Sequence, residues 1–541
     1  MKRLFTLFTF LLLSFIGLNA QTGFPGGLTV PSQSDKSPLF GFDTFINNQP
    51  QQNQRNIVIC SAFNGWLYAT YSYFDSNVFQ DALTILRSKD NGVTWSVIFD
   101  APFGSFHYGI SKMSILVCGN DTSNIKLFVG LGLFDSLYLN HSVQIIRFDK
   151  NGVVELEFLH ENSRQIRDFA MASDDLYPAS NSNPFSFAVA YSKGTFYNDS
   201  IVFCSSSNGG MSFDKKYRIA SSSHYFDKVA LAYGQSPSFS GGRYFAAWEE
   251  QDNENSVSGH IYTAHSEPNF NSPFTTPVLL DSLDASTANK ASNPVIACQN
   301  NAADNDSSNL TEVVLFEKYI PATHKFDIAG LYNKKASNTN NFQKFTIDAS
   351  ANNKLQPDIC FNAFDSTFIV TYFDSTALKL PYYTHDFNMV DPDSWNLLSA
   401  GYNDYNNLIS PHPHVEMDFG RQMGVNTWIG IRGTGNGAAM FDSPFTYYTG
   451  VPSNSQVHLP GVSPNPCNDY IKIAFEQKKA SRVTIDVMSI LGQPLGTITD
   501  QSYPEGKHVV QYDVSGFPAG TYLYKFRSGD FVVSGKFTVI R

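Results

Sequence analysis

Short apolar segments alternate with turns rich in asparagine, serine, aspartate and glycine along most of the 541-residue chain. Within the segments, apolar and polar positions alternate with a period of two. Phenylalanine and tyrosine are abundant, with 46 and 27 residues. This alternation, combined with aromatic and β-branched residues, is typical of short strands that bury one face. We therefore expect an all-β protein.

One kind of apolar segment recurs about every sixty residues. Seven copies are centred near Ile57, Ile115, Phe169, Val229, Val295, Ile359 and Val415. Each copy precedes a second strand and, in most units, a third and a fourth. Units of four short antiparallel strands predict a seven-bladed β-propeller over residues 24–450, because radial stacking hides the sheet edges. Six or eight blades remain alternatives, and an N-terminal strand is expected to complete the last blade.

A polar hairpin follows the third strand in two of the units. It reads "RSKDNGVTWS" at residues 87–96 and "SSNGGMSF" at residues 206–213. Both resemble the Asp-box of sialidase-like propellers, S-x-D-x-G-x-T-W. The matching residues are Ser88, Asp90, Gly92 and Trp95 in the first copy, and Ser206, Asn208, Gly210 and Phe213 in the second. The polar side chains can hydrogen-bond within a tight turn and the glycine can take positive φ. The resemblance places the box opposite the active-site face, so we interpret both hairpins as structural.

The first twenty residues predict a signal peptide. Lys2 and Arg3 precede an apolar run that leads to a small residue, Ala20, at the expected cleavage site. No later stretch reaches the roughly 18 apolar residues of a membrane helix. We expect an exported mature chain without a transmembrane segment.

The charge distribution argues against nucleic acid as a partner. The net charge is −11, and residues 462–541 hold nine basic and seven acidic residues, so the acidic excess lies in residues 21–461. Phosphate backbones repel such a surface.

The composition changes after a polar linker at residues 451–461. Residues 462–541 alternate short strands with Gly/Pro turns, which predicts a small C-terminal β-sandwich. Considered alone, a sandwich of this size is usually a carbohydrate-binding or adhesive module.

Residues 462–541 also resemble the type A C-terminal sorting domain of the Bacteroidota type IX secretion system. The residues that carry the resemblance are Pro464, Asn465, Pro466, Gly492, Gly520, Tyr522 and Lys536. The resemblance implies recognition by the type IX secretion machinery, passage through the outer membrane and removal of the sorting domain. A secreted or cell-surface location follows from it.

Propellers bind ligands where the innermost strands begin. The starts of the first strands supply Arg55, Lys112, Arg167, Asp168, Asp227, Lys228, Asn293, Asp358 and His414. Of these, Arg55, Arg167, Asp168, Asp227, Asp358 and His414 are the candidate ligand-face residues. Polar residues at strand ends are also ordinary turn chemistry.

A sialidase needs three arginines around the substrate carboxylate, together with a Tyr–Glu pair and an Asp. The Arg-Ile-Pro signature of that family is absent, and only Arg55, Arg164, Arg167 and Arg432 are placed to reach the ligand face. We therefore favour a non-catalytic module that binds a glycan or a protein. The alternative is a carbohydrate-active hydrolase of the sialidase-like kind.

The sequence predicts no cofactor and no metal. His412, His414, Glu416 and Asp418 alternate along one strand, but Pro411 and Pro413 indicate an irregular start to that strand.

Overall fold

The computed structural model describes residues 43–103, 108–119, 122–135, 140–163, 166–174, 186–194, 198–235, 242–252, 259–267, 274–281, 290–300, 310–334, 341–364, 366–387, 391–403, 408–419, 423–432, 435–444, 457–458, 462–463, 467–477, 480–489, 493–528 and 531–541. The predicted signal peptide, Pro464–Pro466 and Gly492 lie outside these residues. The chain divides into two compact units, one at residues 23–445 and one that contains residues 446–541.

Within the described part of the larger unit, the strands form seven four-stranded antiparallel sheets, numbered here in chain order. Sheet 1 consists of β2 (Gln54–Ser61), β3 (Leu67–Asp75), β4 (Gln80–Ser88) and β5 (Ser96–Pro102). Sheet 2 consists of β6 (Tyr108–Cys118), β7 (Lys126–Asp135), β8 (Asn140–Asp149) and β9 (Val154–Ser163). Sheet 3 consists of β10 (Phe169–Ser173), β11 (Phe187–Gly194), β12 (Asp199–Ser206) and β13 (Lys215–Ser222).

Sheet 4 consists of β14 (Tyr225–Gly234), β15 (Arg243–Gln251), β16 (Gly259–His265) and β17 (Val278–Leu279). Sheet 5 consists of β18 (Ala291–Cys298), β19 (Glu312–Ile320), β20 (Lys325–Asn333) and β21 (Gln343–Phe345). Sheet 6 consists of β22 (Lys354–Asn362), β23 (Thr367–Asp374), β24 (Tyr382–His385) and β25 (Asn396–Ser399). Sheet 7 consists of β26 (His414–Asp418), β27 (Met423–Ile431), β28 (Gly437–Asp442) and the N-terminal strand β1 (Thr44–Phe45).

The first strands of the sheets contact one another in a closed cycle. Strand β2 contacts β6, and the contacts continue through β10, β14, β18, β22 and β26 back to β2. Sheets arranged radially around their first strands form a β-propeller. The predictions of an all-β chain and of a propeller are confirmed, and none of the described residues lies in an α-helix. As a separate finding, no described segment is a helix of the length and apolarity that crossing a membrane requires.

The core lies between the sheets, and period-two alternation explains how it forms. Leu67, Ala69 and Tyr71 of β3 pack in one cluster with Val425 and other residues of sheet 7. Tyr68 of the same strand packs in a different cluster, with residues of sheet 2. Both faces of this second strand are therefore buried.

A bulge interrupts several first strands near their start. Asn56, Asn293 and Gln356 have φ of 56°, 51° and 52°, in the left-handed region, and the pairing of β2, β18 and β22 with the neighbouring strand shifts around them. A bulge removes backbone groups from the ladder. Backbone N–H groups at these positions therefore need other acceptors.

The C-terminal unit contains two four-stranded sheets among the described residues. One consists of β29 (Val457–His458), β30 (Val462–Ser463), β31 (Tyr470–Gln477) and β34 (Gly506–Asp513). The other consists of β32 (Ser481–Ser489), β33 (Pro494–Tyr503), β35 (Gly520–Ser528) and β36 (Phe531–Val539). Both sheets contribute to one core cluster, for example Ile473 from the first and Ile485 from the second. Strand β29 lies within the predicted linker and pairs with β31.

Candidate functional site

Two acidic residues, Asp168 directly before β10 and Asp358 within β22, bind the next sheet. Asp168 Oδ2 accepts the backbone N–H of Val229 at 2.9 Å, and Asp358 Oδ2 accepts that of Val415 at 2.8 Å. In both pairs the donor belongs to the first strand of the following sheet. These carboxylates therefore connect neighbouring sheets where the first strands begin.

Two glutamates of second strands make the same kind of link. Glu249 Oε2 accepts the N–H of Asn293 at 3.1 Å, and Glu317 Oε1 accepts that of Gln356 at 2.7 Å. Asn293 and Gln356 are bulge residues with positive φ. The glutamates satisfy backbone donors that the bulges release from the ladder.

Two aspartates at the start of third strands also accept backbone N–H groups of the next sheet, and each forms an ion pair with a candidate arginine. Asp81 accepts Ile110 N at 2.7 Å and Arg55 Nη2 at 2.6 Å. Asp199 accepts the N–H of Phe226 at 3.0 Å and also pairs with Arg167. Arg55 and Arg167 are thus each neutralised by a buried aspartate of their own sheet.

Two lysines lie among the acidic side chains. Lys112 Nζ is 2.7 Å from Asp168 Oδ1. Burial acts to lower the pKa of Lys228, but the nearby Asp168, Asp227 and Glu249, together with Glu317, outweigh it and raise that pKa. The starts of the first strands and the two second-strand glutamates therefore form a ring of mixed charge. It is called here the charged ring and consists of Lys112, Asp168, Asp227, Lys228, Glu249, Glu317, Asp358 and His414.

Gln251 joins two carboxylates of this ring. Its Nε2 lies 2.7 Å from Glu249 Oε1 and 3.4 Å from Asp227 Oδ2. Burial raises the pKa of Glu249 to about 7, and the charge of Asp227 adds to this rise. Glu249 is therefore partly protonated near neutral pH.

Asp358, His414 and Glu416 lie close together on sheets 6 and 7. Burial raises the pKa of Asp358, while the nearby His414 acts to lower it. Burial also raises the pKa of Glu416 to about 7, with a further contribution from Asp358. Asp418 instead accepts a hydrogen bond from Ser61 Oγ at 3.4 Å. Among the described residues, no three His, Cys, Asp or Glu side chains are arranged so that they could hold a metal ion.

The charged ring brings together four of the six candidate residues. Asp168 and Asp227 both act on Lys228, while Asp358 lies near His414 and Lys112. Sequence reasoning missed Asp81, Glu249 and Glu317. A usable signal for the glutamates was present, because each follows an aromatic residue in its second strand, in "AAWEE" and "VLFEK".

The first polar hairpin is fixed by its own side chains. Ser88 Oγ donates to Asp90 Oδ1 and accepts the N–H of Gly92, both at 2.8 Å. Asp90 also accepts the N–H of Thr94 at 2.8 Å. Trp95 Nε1 donates to the Gly92 carbonyl at 3.1 Å, and its ring packs against Phe441 of sheet 7 at 5.5 Å.

The second hairpin repeats this network. Ser206 Oγ donates to Asn208 Oδ1 at 2.9 Å and accepts the N–H of Gly210 at 3.0 Å. Phe213 packs 5.9 Å from Phe187 of the same sheet. Arg147 of sheet 2 donates to the Gly209 carbonyl at 2.7 Å. This arginine therefore ties the hairpin to the preceding sheet.

Three of the residues that resemble a sorting motif are described. Tyr522 donates its hydroxyl hydrogen to the Pro518 carbonyl at 2.8 Å. Gly520 begins β35 and pairs with Val539 of β36. Lys536 lies exposed in β36.

The fold of this chain shows remote similarity to several solved structures. A GH93 α-L-arabinofuranosidase of Fusarium graminearum is 9% identical with a TM-score of 0.43, over 74% of this chain and 97% of that chain. An α-L-arabinanase of Penicillium chrysogenum is 12% identical with a TM-score of 0.40, over 75% and 99%. The propeller domain of the Trilobed protease from Pyrococcus furiosus is 7% identical with a TM-score of 0.37, over 77% and 100%. At these values the similarities indicate no activity or substrate.

The tail gives the more specific comparison. No curated protein shows significant similarity to the chain. Residues 461–540 match the family described as secretion system C-terminal sorting domain. This match supports the assignment of the chain as a β-propeller cargo of the type IX secretion system, exported to the cell surface or the extracellular space.

Proposed function

We propose that the chain is an exported seven-bladed β-propeller that binds a glycan at the charged ring without hydrolysing it. In this proposal residues 1–20 are a signal peptide, residues 24–450 the propeller and residues 451–461 a linker. Residues 462–541 are a β-sandwich that addresses the chain to the type IX secretion machinery and is then removed. The closed cycle of first strands supports the seven blades, and the core shared by two sheets supports the sandwich.

The observation that carries the proposal is that acidic side chains of the ring already accept hydrogen bonds from the protein backbone. Asp168 and Asp358, like Glu317, each accept a backbone N–H from the next sheet. A nucleophile or a general acid needs a carboxylate that is free to reach the substrate. Carboxylates that hold the sheets together support a structural role, which leaves the outer edge of the ring for binding.

The groups at this edge fit a polar ligand. The side chains of Arg55 and Lys112 are 42% and 40% exposed. Beside the charges, Gln356 donates to Ser410 Oγ at 2.6 Å and accepts the N–H of His412 at 3.0 Å, and both Ser410 and His412 are exposed. Closely spaced donors and acceptors suit the hydroxyl groups of a glycan better than the apolar core of a protein interface. A protein ligand remains the alternative occupant.

The charge balance of the ring selects among glycans. Lys228 is surrounded by Asp168, Asp227, Glu249 and Glu317. Lys112 lies near Asp358 and pairs with Asp168. Arg55 and Arg167 are paired with aspartates. Such a potential repels carboxylated or sulfated sugars. We therefore propose a neutral or amine-bearing glycan, in contrast to the anionic substrate of a sialidase.

A second candidate function, glycoside hydrolysis, is favoured by Asp227 and Glu249. Both carboxylates contact Gln251 Nε2, so the two oxygens are separated by no more than the sum of the two distances, about 6 Å. This limit admits the separation of roughly 5–5.5 Å found in retaining glycosidases, but not the roughly 6.5–9.5 Å of inverting ones. The pKa of Glu249, raised to about 7, suits a general acid.

A glycan array combined with chromogenic glycosides separates the two functions. The full-length protein is tested beside Asp227→Asn and Glu249→Gln. The matched control is Glu312→Gln, which alters another buried glutamate of raised pKa at the opposite end of β19 from Glu317. Saturable binding of neutral glycans without turnover supports the proposal. Turnover that Glu249→Gln abolishes and Glu312→Gln preserves establishes the hydrolase instead.

A further inference from the structure

The side chain of Arg541 holds a loop of the C-terminal unit by its backbone. Nη2 lies 2.8, 2.7 and 2.8 Å from the carbonyl oxygens of Val514, Ser515 and Phe517. Nη1 donates to the carbonyl of Asn468. A guanidinium presents five N–H donors in a planar fork, so one side chain can bind several carbonyl groups at once.

The same loop is also held by aromatic residues. The hydroxyl of Tyr522 donates to the Pro518 carbonyl at 2.8 Å. The Phe517 ring packs 4.8 Å from that of Tyr522, which stacks at 5.6 Å on Phe537 of β36. Within the loop, Phe517 N donates to the Val514 carbonyl at 2.9 Å. The backbone of residues 514–519 is therefore fixed although it belongs to no strand.

The fixed loop presents a small-residue surface. Ser515, Gly516, Pro518 and Ala519 are exposed, while several of the carbonyl groups turn toward Arg541. Fixing a backbone costs conformational entropy. A connection between β34 and β35 does not by itself require a fixed backbone. A surface that is ordered before binding avoids that cost on association.

We propose that this loop, residues 514–519, is a surface by which the type IX secretion machinery recognises the chain, and that Arg541 and Tyr522 are its positioning residues. The proposal rests on the sorting assignment of residues 461–540 and is independent of the ligand of the propeller. Arg541 lies one position beyond the matched residues, so the family match assigns it no role.

The direct test changes the exposed surface and leaves its supports intact. In a bacterium with a type IX system, full-length protein carrying Ala519→Lys is compared with Gln501→Lys, which introduces the same charge at an exposed position of β33. We expect Ala519→Lys to lower the exported fraction about tenfold, equivalent to about 1.4 kcal/mol of binding, with unchanged melting temperature. Gln501→Lys should be exported normally. Equal export of both variants would overturn the proposal.

A second comparison separates positioning from stability. Arg541→Ala releases the loop, whereas Val487→Ala weakens the same buried core from strand β32 and leaves the Arg541 side chain in place. We expect export of Arg541→Ala to fall further than that of Val487→Ala, even where Val487→Ala is the less stable protein. If the exported fraction depended only on melting temperature, Arg541 would act only by stabilising the unit, and the proposal would be contradicted. Normal export of a chain that lacks residues 462–541 would instead overturn the sorting assignment itself.

Discussion

The carboxylate of Asp168 accepts the backbone N–H of Val229, in the next sheet, at 2.9 Å, and its other oxygen lies 2.7 Å from Lys112 Nζ. This residue stands where a propeller ligand site is expected, yet both of its oxygens are engaged within the protein. Asp81, Glu249 and Glu317 repeat the link with other sheets. Several carboxylates of the charged ring therefore hold neighbouring sheets of the propeller together.

Removal of the Asp168 carboxylate should destabilise the propeller. Asp168→Ala leaves the buried N–H of Val229 without its acceptor, which costs about 1–3 kcal/mol. Asp168→Asn keeps an acceptor oxygen but loses the charge opposite Lys112, so its cost should be smaller. Denaturant unfolding of the full-length protein measures both. Unchanged stability of Asp168→Ala would contradict the framework role.

The first polar hairpin should be sensitive to a single added methyl group. Gly92 has φ of +83°, and a Cβ there would lie 2.3 Å from Cε1 of Phe441. Gly435 has φ of +85° with nothing within 4 Å of its Cβ position, so it serves as the matched control. Gly435→Ala should lower the free energy of unfolding by about 1 kcal/mol through backbone strain. Gly92→Ala should lower it by that amount and by about 1–3 kcal/mol more, because the added methyl group overpacks against Phe441. Equal unfolding midpoints would show that the hairpin does not pack between sheets 1 and 7.

A buried glutamate should make the stability fall as the pH rises. Burial raises the pKa of Glu312 from 4.5 to about 7, although Thr263 Oγ1 donates to its carboxylate at 2.7 Å. Because the folded state favours the protonated form, its stabilising contribution is complete below about pH 4.5 and is lost as the pH approaches 7. At about 1.4 kcal/mol per pKa unit, the loss is of the order of 3 kcal/mol.

Glu312→Gln should remove this dependence. The variant keeps an acceptor for Thr263 and stays neutral, so its melting temperature relative to the parent protein should rise between pH 5 and pH 8. Thermal unfolding at both pH values measures the difference. An equal difference in melting temperature between variant and parent at pH 5 and at pH 8 would show that Glu312 does not cause the pH dependence.

Deletion of residues 462–541 should separate folding from delivery. The two units have their own core clusters, so the propeller should fold and accumulate in the periplasm. Cell fractionation and limited proteolysis measure location and fold. Normal appearance of the truncated protein outside the cell would rule out a sorting role.

The sequence predicted the sheets better than the contacts between them. Spacing and alternation placed the first strands near Val229 and Val415, where the structure has β14 and β26. The role of Asp168 and Asp358 was not readable, because it depends on which backbone N–H groups of the next sheet lie beside their carboxylates. The left-handed bulge residues differ in type, for example Asn293 and Gln356, so no common motif marks them. Glu249 lies in a second strand and reaches the ring only through the packing of sheets 4 and 5.

The most direct test of the central claim is the fate of a bound glycan. A neutral glycan found on the array is titrated against the full-length protein by calorimetry, and the recovered glycan is then weighed by mass spectrometry. The account predicts saturable binding, weakened by Lys112→Met or Lys228→Met, and a glycan of unchanged mass. A hydrolysed glycan, with hydrolysis lost in Glu249→Gln, would contradict it.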